Sequence, residues 1–333
     1  PYASVISIGG ALLLSAWVLM ISSMIVKFRG RLVLPLLVMI VLPTFLNNSY
    51  SSQERISFIG IQGNTPSVRL TFNNRAEAVF NLHLTETKKV DLKGADVIIW
   101  PENAIDVDPF ANTKVSDSIE SLTSTLKIPL IAGAITRQGG QLENVSLMYN
   151  ESGEVVSYYS KQYLTPFGEY MPLRPIARLV SPYVDDVVDF KAGERVETHV
   201  VNGLSLAPVI CYELLSDSLV RDAANKSVAL IAQTNSATFG MSAESAQQLS
   251  ITRIRAIEHS RNVVSVSTTG ISAVIDFKGK ILNQTSMGTA EHVFAEVGLI
   301  EQRSPRDRYG DWVGVFTLIW LLVVARRAHV IRR

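Results

Sequence analysis

Residues 207–213 read APVICYE and contain Cys211, the single cysteine of the chain. The apolar and β-forming residues 206–210 lead directly into that cysteine, so the pattern predicts a buried strand that ends at the thiol. In open α/β folds, chemically active side chains collect in the loops that follow such strand ends. We therefore expect Cys211 where a strand of the sheet gives way to its loop.

The sequence on either side alternates between predicted strands and predicted helices. The expected strands cover residues 55–61, 95–100, 129–135, 144–149, 154–159, 228–233, 263–268 and 272–277, and the fourth and fifth form a hairpin. The expected helices run from Asn73 or Asn74 to about residue 89 and over residues 114–127, 217–225 and 242–259. Such alternation is typical of an α/β domain in which helices cover a sheet. We assign residues 51–306 to one domain, because they contain no internal repeat and no low-complexity tract.

Three apolar runs outside this domain predict membrane spans. Residues 1–26 carry no charged side chain and exceed the roughly 20 residues that cross a bilayer as a helix. Residues 32–46 form a second run, which Pro35 and Pro43 interrupt. Residues 312–325 form a third run of about 21 Å, which is short of a hydrocarbon core of about 30 Å. The third run therefore either uses residues 309–311 as an interfacial lead-in or lies flat on the membrane.

The alternative for the second and third runs is a pair of buried core helices. Trp312, Trp320 and the Arg326-Arg327 pair favour a span, because they resemble an interfacial aromatic belt followed by a cytoplasmic anchor. A signal peptide is disfavoured for the first run, which lacks a basic leading region. We expect two transmembrane helices in residues 1–50 and another, with a basic tail, in residues 307–333. Because the chain opens on Pro1, we expect residues 1–50 to end a larger membrane region.

Loop charges predict the orientation of these spans. The loop between the first two runs contains Lys27, Arg29 and Arg31, and arginines also follow the third run at positions 326, 327, 332 and 333. The positive-inside rule places both segments in the cytoplasm, so the domain at residues 51–306 faces the extracytoplasmic side. With 31 basic and 30 acidic residues, the net charge is +1 and gives no general case for binding nucleic acid.

This orientation gives the lone thiol of Cys211 an unusual setting. Cysteines outside the plasma membrane usually form disulfides, and the chain offers Cys211 no partner. A small buried apolar side chain is the ordinary interpretation of a single cysteine. A catalytic nucleophile is the alternative, and other residues of the domain bear on the choice.

Two charged residues occupy positions like that of Cys211. Glu102 follows the predicted strand 95–100 and Pro101, and Lys161 follows the predicted strand 154–159. A solvated loop glutamate and a surface lysine are their ordinary interpretations. With Cys211, however, they supply a base, a cation for an oxyanion and a nucleophile, which acyl transfer by a thiol requires, and the backbone N–H of Tyr212 offers a second oxyanion donor. The five histidines are scattered, so we expect no metal site and no cofactor.

The motifs around these residues resemble a known family. WPEN around Glu102, YSKQYLTPFGEYMP around Lys161 and VICYE around Cys211 are similar, in this order, to the Glu-Lys-Cys triad of the nitrilase superfamily, whose fold is an αββα sandwich. Within it, the flanking spans and the PFGEY loop resemble the apolipoprotein N-acyltransferases, membrane enzymes that complete bacterial lipoproteins. QGNTP at residues 62–66 and RAIEHSRNVVSVSTTGISAVID at residues 255–276 extend the resemblance. Residues 234–240, TNSATFG, depart from the family's TND-aromatic-FG pattern, and Phe72 has no clear register with the aromatic residue near the family's site.

The resemblance implies a role for each motif. Glu102 would be the general base, Lys161 the oxyanion stabiliser and Cys211 the nucleophile. Glu169, Tyr212 and Glu213 would be supporting active-site residues. The implied reaction, in the bacterial plasma membrane, transfers an acyl chain from a phospholipid to Cys211 as a thioester and then to the α-amino group of a diacylglyceryl-cysteine. A membrane-anchored amidase or hydrolase is an alternative, and so is a catalytically silent scaffold that binds lipoproteins.

Overall fold

Two mixed six-stranded sheets form the centre of the domain. The computed structural model describes residues 2–27, 33–45, 50, 54–65, 77–92, 94–179, 184–185 and 187–331. In that part of the chain, the first sheet has the order β12-β1-β2-β3-β4-β5, with β1 (Arg55–Gln62), β2 (Val97–Ile105), β3 (Leu130–Gln138), β4 (Gln141–Tyr149), β5 (Val155–Ser160) and β12 (Glu291–Gly298). The second has the order β11-β10-β9-β8-β7-β6, with β6 (His199–Val201), β7 (Leu204–Ile210), β8 (Ala229–Thr234), β9 (Asn262–Ser267), β10 (Ala273–Ile275) and β11 (Ile281–Gln284).

Helices cover the outer faces of both sheets. In chain order the helices are α1 (Ile6–Val26), α2 (Val33–Phe45), α3 (Ala78–Thr87), α4 (Thr113–Leu126), α5 (Arg174–Ala177), α6 (Asp217–Lys226), α7 (Glu244–His259), α8 (Pro305–Tyr309) and α9 (Trp312–Ile331). Phe80 of α3 and Ile119 of α4 pack on the first sheet, and Val220 of α6 and Ala256 of α7 pack on the second. A third apolar cluster fills the space between the two sheets, so the layers run helix, sheet, sheet, helix. This agrees with the predicted α/β class.

Parallel pairing brings the ends of the important strands to one region. β1, β2 and β3 pair in parallel, as do β7, β8 and β9. The carboxyl ends of parallel strands meet at one edge of their sheet. Glu102, which lies near the end of β2, and Cys211, which follows β7, are therefore presented from facing sheets.

One strand boundary differs from its prediction in a way that concerns the site. The sequence predicts that the strand ends at Pro101 and Glu102, but β2 continues to Ile105, so that prediction is wrong. The pairing of β2 with β3 shifts register between Trp100 and Ile105. Pro101 has no N–H to donate to a ladder, and an irregularity of this kind can aim a side chain toward a site. The strands β6, β11 and β12 were not predicted, and Asn73 and Asn74, the predicted caps of α3, lie outside the described residues.

The apolar runs form helices that contact one another, and the first of them packs against α7 of the domain. Among the described residues one helix, Ala3–Val26, is long and apolar enough to cross a membrane, whereas Val33–Pro43 and Trp312–Val324 are shorter apolar helices. The Ser4 hydroxyl donates to the carbonyl of Pro43 (2.8 Å), and Trp312 Nε1 donates to the carbonyl of Ile8 (2.9 Å). The start of α1 thus lies beside the end of α2 and the start of α9. Of the basic residues that predict orientation, Arg29, Arg31, Arg332 and Arg333 lie outside the described residues.

Candidate active site

Cys211 lies at the turn that follows β7. It begins a short 3-10 helix, Cys211–Leu215, and its backbone has φ +49°, in the left-handed region that non-glycine residues rarely adopt. Such a conformation costs on the order of 1 kcal/mol or more and persists where the surroundings hold it, commonly at functional sites. The residue as a whole is partly exposed, and its thiol forms no disulfide. Gln248 Nε2, on α7, lies 3.5 Å from the sulfur and donates to it.

Lys161 is buried between two carboxylates. Its ammonium lies 3.0 Å from Glu102 Oε1 and 2.8 Å from Glu169 Oε2, and its exposed side-chain fraction is 1%. The Thr165 hydroxyl, at 3.3 Å, is a third acceptor. An ammonium group has three N–H donors, so each has an acceptor and the buried charge is compensated. Lys161 is therefore not the surface lysine that its sequence position also allowed.

Asn144, on β4, joins the two carboxylates. Its Nδ2 donates to Glu102 Oε1 (2.8 Å) and to Glu169 Oε1 (2.6 Å). The backbone carbonyl of Asn144 accepts from the backbone N–H of Lys161 (2.9 Å), which fixes where that lysine leaves the sheet. The sequence did not single out Asn144, because it is one of several polar residues of β4 and its partners lie on distant segments.

Glu213 connects the segment of Lys161 to the segment of Cys211. Its side chain is fully buried, and Oε1 accepts from the backbone N–H of Gln162 (2.6 Å) and from the Tyr159 hydroxyl (2.7 Å). Oε2 accepts from the backbone N–H of Ile210 (2.8 Å). Gln162 directly follows Lys161, and Ile210 directly precedes Cys211. One buried carboxylate therefore joins the two backbone segments that carry the reactive side chains.

Burial and neighbouring charges set the protonation of the site. Burial raises the pKa of the Cys211 thiol, and the adjacent Glu102 carboxylate raises it further, to about 12, although Lys161 acts in the opposite direction. Burial opposes the charge of Lys161, but Glu102, Cys211 and Glu169 more than offset this and raise its pKa above the ordinary value. For Glu169, burial would raise the pKa, but Lys161 and Asn144 reverse this and lower it. The resting site thus holds a neutral thiol beside a charged lysine.

Tyr212 is the remaining predicted site residue, and Arg255 adds a contact that was not predicted. Tyr212 directly follows Cys211, and its side chain is exposed. Arg255, on α7, donates through Nε to the carbonyl of Leu214 (2.8 Å) and pairs with Asp217 (2.6 Å). The turn that carries the thiol is therefore tied to α7, which the RAIEHSR motif alone did not reveal. Among the described residues, no group of three His, Cys, Asp or Glu side chains is arranged to hold a metal ion.

Comparison with known proteins identifies the family. The family model described as carbon-nitrogen hydrolase matches residues 61–304, which include every site residue named above. The chain belongs to the carbon-nitrogen hydrolase family. The resemblance to the nitrilase superfamily, predicted from WPEN, PFGEY and VICYE, is thereby confirmed.

Curated relatives of this carbon-nitrogen hydrolase carry a more specific name. It is 30% identical over 278 residues to the apolipoprotein N-acyltransferase of Mycolicibacterium smegmatis, covering 79% of this chain and 47% of the relative. It is 30% identical over 271 residues to the apolipoprotein N-acyltransferase of Rickettsia prowazekii, covering 78% and 53%. The predicted similarity to these enzymes is confirmed, and the chain spans about half the length of the curated relatives it matches.

Solved structures share the fold of this carbon-nitrogen hydrolase at low sequence identity. A mutant amidase from Nesterenkonia sp. AN1 superposes with a TM-score of 0.58 at 14% identity, covering 80% of this chain and 97% of the amidase. A carbon-nitrogen hydrolase superfamily protein from Xanthomonas campestris gives 0.56 at 18% identity, covering 74% and 91%. At these identities the likeness concerns the fold alone.

Proposed function

We propose that this chain carries the catalytic part of an apolipoprotein N-acyltransferase. The reaction moves an acyl chain from a phospholipid to Cys211 and then to the α-amino group of a diacylglyceryl-cysteine. The observation that carries the proposal is the buried ammonium of Lys161, held 3.0 Å from Glu102 beside the thiol of Cys211. This set supplies a base, a fixed cation and a nucleophile within one site. The names of the curated relatives select acyl transfer to a lipoprotein among the reactions that such a set serves.

In the first half-reaction, Glu102 is the general base. It takes the proton of the Cys211 thiol while the sulfur attacks the ester carbonyl carbon of the phospholipid. Lys161 stabilises the negative charge that develops on the carbonyl oxygen, and the backbone N–H of Tyr212 is the second donor. The carbon–oxygen bond then breaks, Glu102 returns the proton to the departing alkoxide, and a lysophospholipid leaves. Cys211 remains as a thioester.

In the second half-reaction, the acceptor amine takes the place of the lysophospholipid. Its nitrogen attacks the thioester carbonyl carbon, Glu102 accepts a proton from that nitrogen, and Lys161 again stabilises the oxyanion. The carbon–sulfur bond breaks, its electron pair stays on the sulfur, and the proton returns from Glu102 to Cys211. The product is an amide, and the enzyme regains its resting protonation.

The charges of the site favour proton transfer during attack over a preformed thiolate. Glu102, Glu169 and Lys161 together carry one net negative charge, and a thiolate would add a second. In agreement, the pKa of the Cys211 thiol is raised to about 12, chiefly by burial and secondly by Glu102. A neutral resting thiol also suits a cysteine in an oxidising compartment, because thiolates are the form that oxidises.

We also propose that residues 1–50 and 307–333 anchor the domain of residues 51–306 at the extracytoplasmic face of the plasma membrane. In support, the start of α1 packs against α7 and lies beside the end of α2 and the start of α9, and these ends lie away from Lys27 and Arg326. Both substrates are held by lipid, so an anchored site confines their encounter to the membrane surface. Apolar side chains of the loop after Lys161 support acyl-chain binding, among them Leu164, Phe167, Tyr170, Met171 and Leu173, of which Phe167 is 66% and Leu173 73% exposed.

Acceptor-dependent discharge tests the proposed function. The purified protein is loaded from phospholipid vesicles and then mixed with a diacylglyceryl-cysteinyl peptide. We expect about one lysophospholipid per enzyme before the peptide is added, and discharge of the acyl-enzyme by the free-amine peptide but not by its N-acetylated form. Equal discharge by both peptides contradicts the proposal. Full-rate release of fatty acid without peptide indicates a hydrolase, and absence of loading indicates a scaffold.

A further inference from the structure

Gln248 contacts the reacting sulfur from a direction that the triad does not use. It lies on α7, whereas Glu102 lies on β2 and Lys161 follows β5. Its Nε2 is 3.5 Å from Cys211 Sγ, and its Oε1 accepts from the Ser236 hydroxyl (3.4 Å). The side chain is therefore held at both ends, one of them on the nucleophile.

A buried serine pair fixes which end of the amide faces the sulfur. Ser236 and Ser267 are both 1% exposed, and their hydroxyls lie 3.1 Å apart. Ser267 Oγ accepts from the backbone N–H of Gly270 (3.0 Å), so its own proton is available to Ser236. Ser236 can then donate to Oε1 of Gln248, which leaves Nε2 toward Cys211.

Gly270 preserves the space that this arrangement needs. A Cβ at that position would lie 2.6 Å from the hydroxyl oxygens of both Ser236 and Ser267. Any larger residue would therefore push apart the two serines that orient Gln248. The departure of residues 234–240 from the family pattern has a structural counterpart here, because Ser236 occupies the position where that pattern has an acidic residue. In this chain a hydroxyl, and not a carboxylate, supports the side chain next to the nucleophile.

We propose that Gln248 is a catalytic residue whose Nε2 donor stabilises negative charge on Cys211 Sγ in both half-reactions. It acts when the thiol loses its proton to Glu102 and attacks the ester. It acts again when the acceptor nitrogen bonds to the thioester carbon, the carbon–sulfur bond breaks and the electron pair returns to sulfur. The two-step role rests on the proposed function, whereas the effect on the thiol itself does not.

A neutral donor suits the charges that face Cys211. Glu102 from β2 opposes a thiolate, Lys161 after β5 favours it, and the backbone N–H of Asn235 after β8 also donates to it. Glu169 and Glu213 also interact with the charge of Lys161 and reduce its effect on the sulfur. Gln248 adds a donor without adding a charge. Hydrogen bonds to charged groups are stronger than those between neutral groups, so this contact strengthens as the sulfur becomes negative.

The alkylation rate of Cys211 tests this inference without any acyl substrate. Cys211 is the single cysteine of the chain, so iodoacetamide incorporation reports on it alone. At a fixed pH below the thiol pKa, we expect Gln248→Ala to slow alkylation about tenfold, and Gln248→Glu at least as much, with unchanged melting temperature. Ser236→Ala should slow it less. Gln247→Ala, at an exposed position on the same helix, is the matched control and should react like the wild type.

Two comparisons separate a donor from a spacer. Gln248→Ala removes side-chain atoms that lie next to the sulfur, so a merely steric role predicts faster alkylation, above all with a bulky N-aryl maleimide. Loss of the donor instead slows iodoacetamide and the maleimide by the same factor. Wild-type alkylation rates in Gln248→Ala and Gln248→Glu would overturn the inference. If the Gln248 variants alkylate slowly but the wild type fails the acceptor-discharge test, the role of Gln248 toward the thiol stands and the proposed acyl transfer is rejected.

Discussion

Lys161 must stay charged where little water reaches it, and its two carboxylate partners make this possible. Glu102 and Glu169 lie within 3.0 Å of its ammonium, and Asn144 keeps the two carboxylates in place. Removing one partner of such a buried pair costs much more stability than removing both, because a single removal leaves buried charge uncompensated. Single and double substitutions therefore separate the effect of Lys161 on stability from its effect on activity.

Lys161→Met should lower both activity and stability. Without the ammonium, oxyanion stabilisation is lost, and we expect acyl-enzyme formation to fall by about 10² or more. Two buried carboxylates then repel each other, so the free energy of unfolding should fall by about 3–5 kcal/mol at pH 7. Adding Glu169→Gln should restore much of the stability but not the activity, as measured by urea unfolding and thioester formation. Recovery of activity in the double variant would contradict the chemical role of Lys161.

The stability deficit of Lys161→Met should also depend on pH. In the wild type the pKa of Glu169 is lowered, chiefly because Lys161 overcomes the effect of burial, so this stabilisation is present above the ordinary glutamate pKa and is lost as pH falls through the lowered value. In the variant a buried carboxyl pair binds a proton more readily than in the unfolded chain, so the variant loses stability as pH rises. The difference between the two proteins should therefore be large at pH 7 and narrow toward pH 4.

The spacing of Lys161 and Cys211 should depend on the carboxylate of Glu213. Glu213→Gln keeps the size of the side chain but turns one acceptor into a donor that faces the N–H groups of Ile210 or Gln162. We expect about 10²-fold slower acyl-enzyme formation and a loss of about 1–3 kcal/mol of stability. Glu154→Gln, where the carboxylate accepts from Asn150 at the surface, is the control and should change neither. An active Glu213→Gln protein would show that the spacing of Lys161 and Cys211 does not depend on this carboxylate.

Sequence reasoning found the residues of the site more readily than their partners. Cys211, Glu102 and Lys161 each follow or end a recognisable apolar strand, so motif order and strand position were sufficient. Gln248 and Asn144 carry no comparable signal, because their importance depends on contacts between segments distant in the chain. In the sequence, Ser236 differs from the family's TND-aromatic-FG pattern, and its hydrogen bond to Gln248 shows that it orients that side chain.

At the scale of elements, the register shift of β2 against β3 depends on Gly133. A Cβ on Gly133 would lie 2.4 Å from the carbonyl oxygen of Pro101 and 2.6 Å from Glu102 Cα. β3 can therefore lie against the irregular part of β2 only where it has no side chain. The sequence could not indicate this, because the strand was expected to end at Pro101 and no partner for Gly133 was evident.

Gly133→Ala should consequently displace Glu102. Overpacking of this kind costs about 1–3 kcal/mol, and we expect slower acyl-enzyme formation at temperatures where the variant is still folded. Gly139→Ala, in the turn between β3 and β4, is a suitable control. That glycine has φ +59° but open space around its Cβ, so the cost should be about 1 kcal/mol, with unchanged activity. Normal activity and stability in Gly133→Ala would mean that Glu102 does not need this close approach.

For the whole molecule, the predicted α/β class followed from the alternation of strands and helices. The pairing of strands into two sheets did not follow, because β6, β11 and β12 are short or half-exposed and lack an apolar run. The spans were predicted from apolar length, and among the described helices Ala3–Val26 alone reaches the length and composition of a span. The Ser4–Pro43 and Trp312–Ile8 contacts show which ends of the three helices lie together, and α1 packs against α7 of the domain.

Labelling of introduced cysteines tests the orientation. In a Cys211→Ser background, single cysteines replace Lys27 at the end of α1 and Thr113 at the start of α4, both exposed. We expect an impermeant maleimide to label the Thr113 variant in intact cells and the Lys27 variant only after permeabilisation. Labelling of both from the same side would contradict the proposed anchoring.

The intact mass of the protein purified from membranes shows whether Cys211 carries the acyl chain. We expect a mass increase equal to one fatty acyl group, removed by neutral hydroxylamine and absent from Cys211→Ala. A protein that is never acylated when phospholipid is present and the acceptor is withheld, or an adduct that persists in Cys211→Ala, would contradict this expectation.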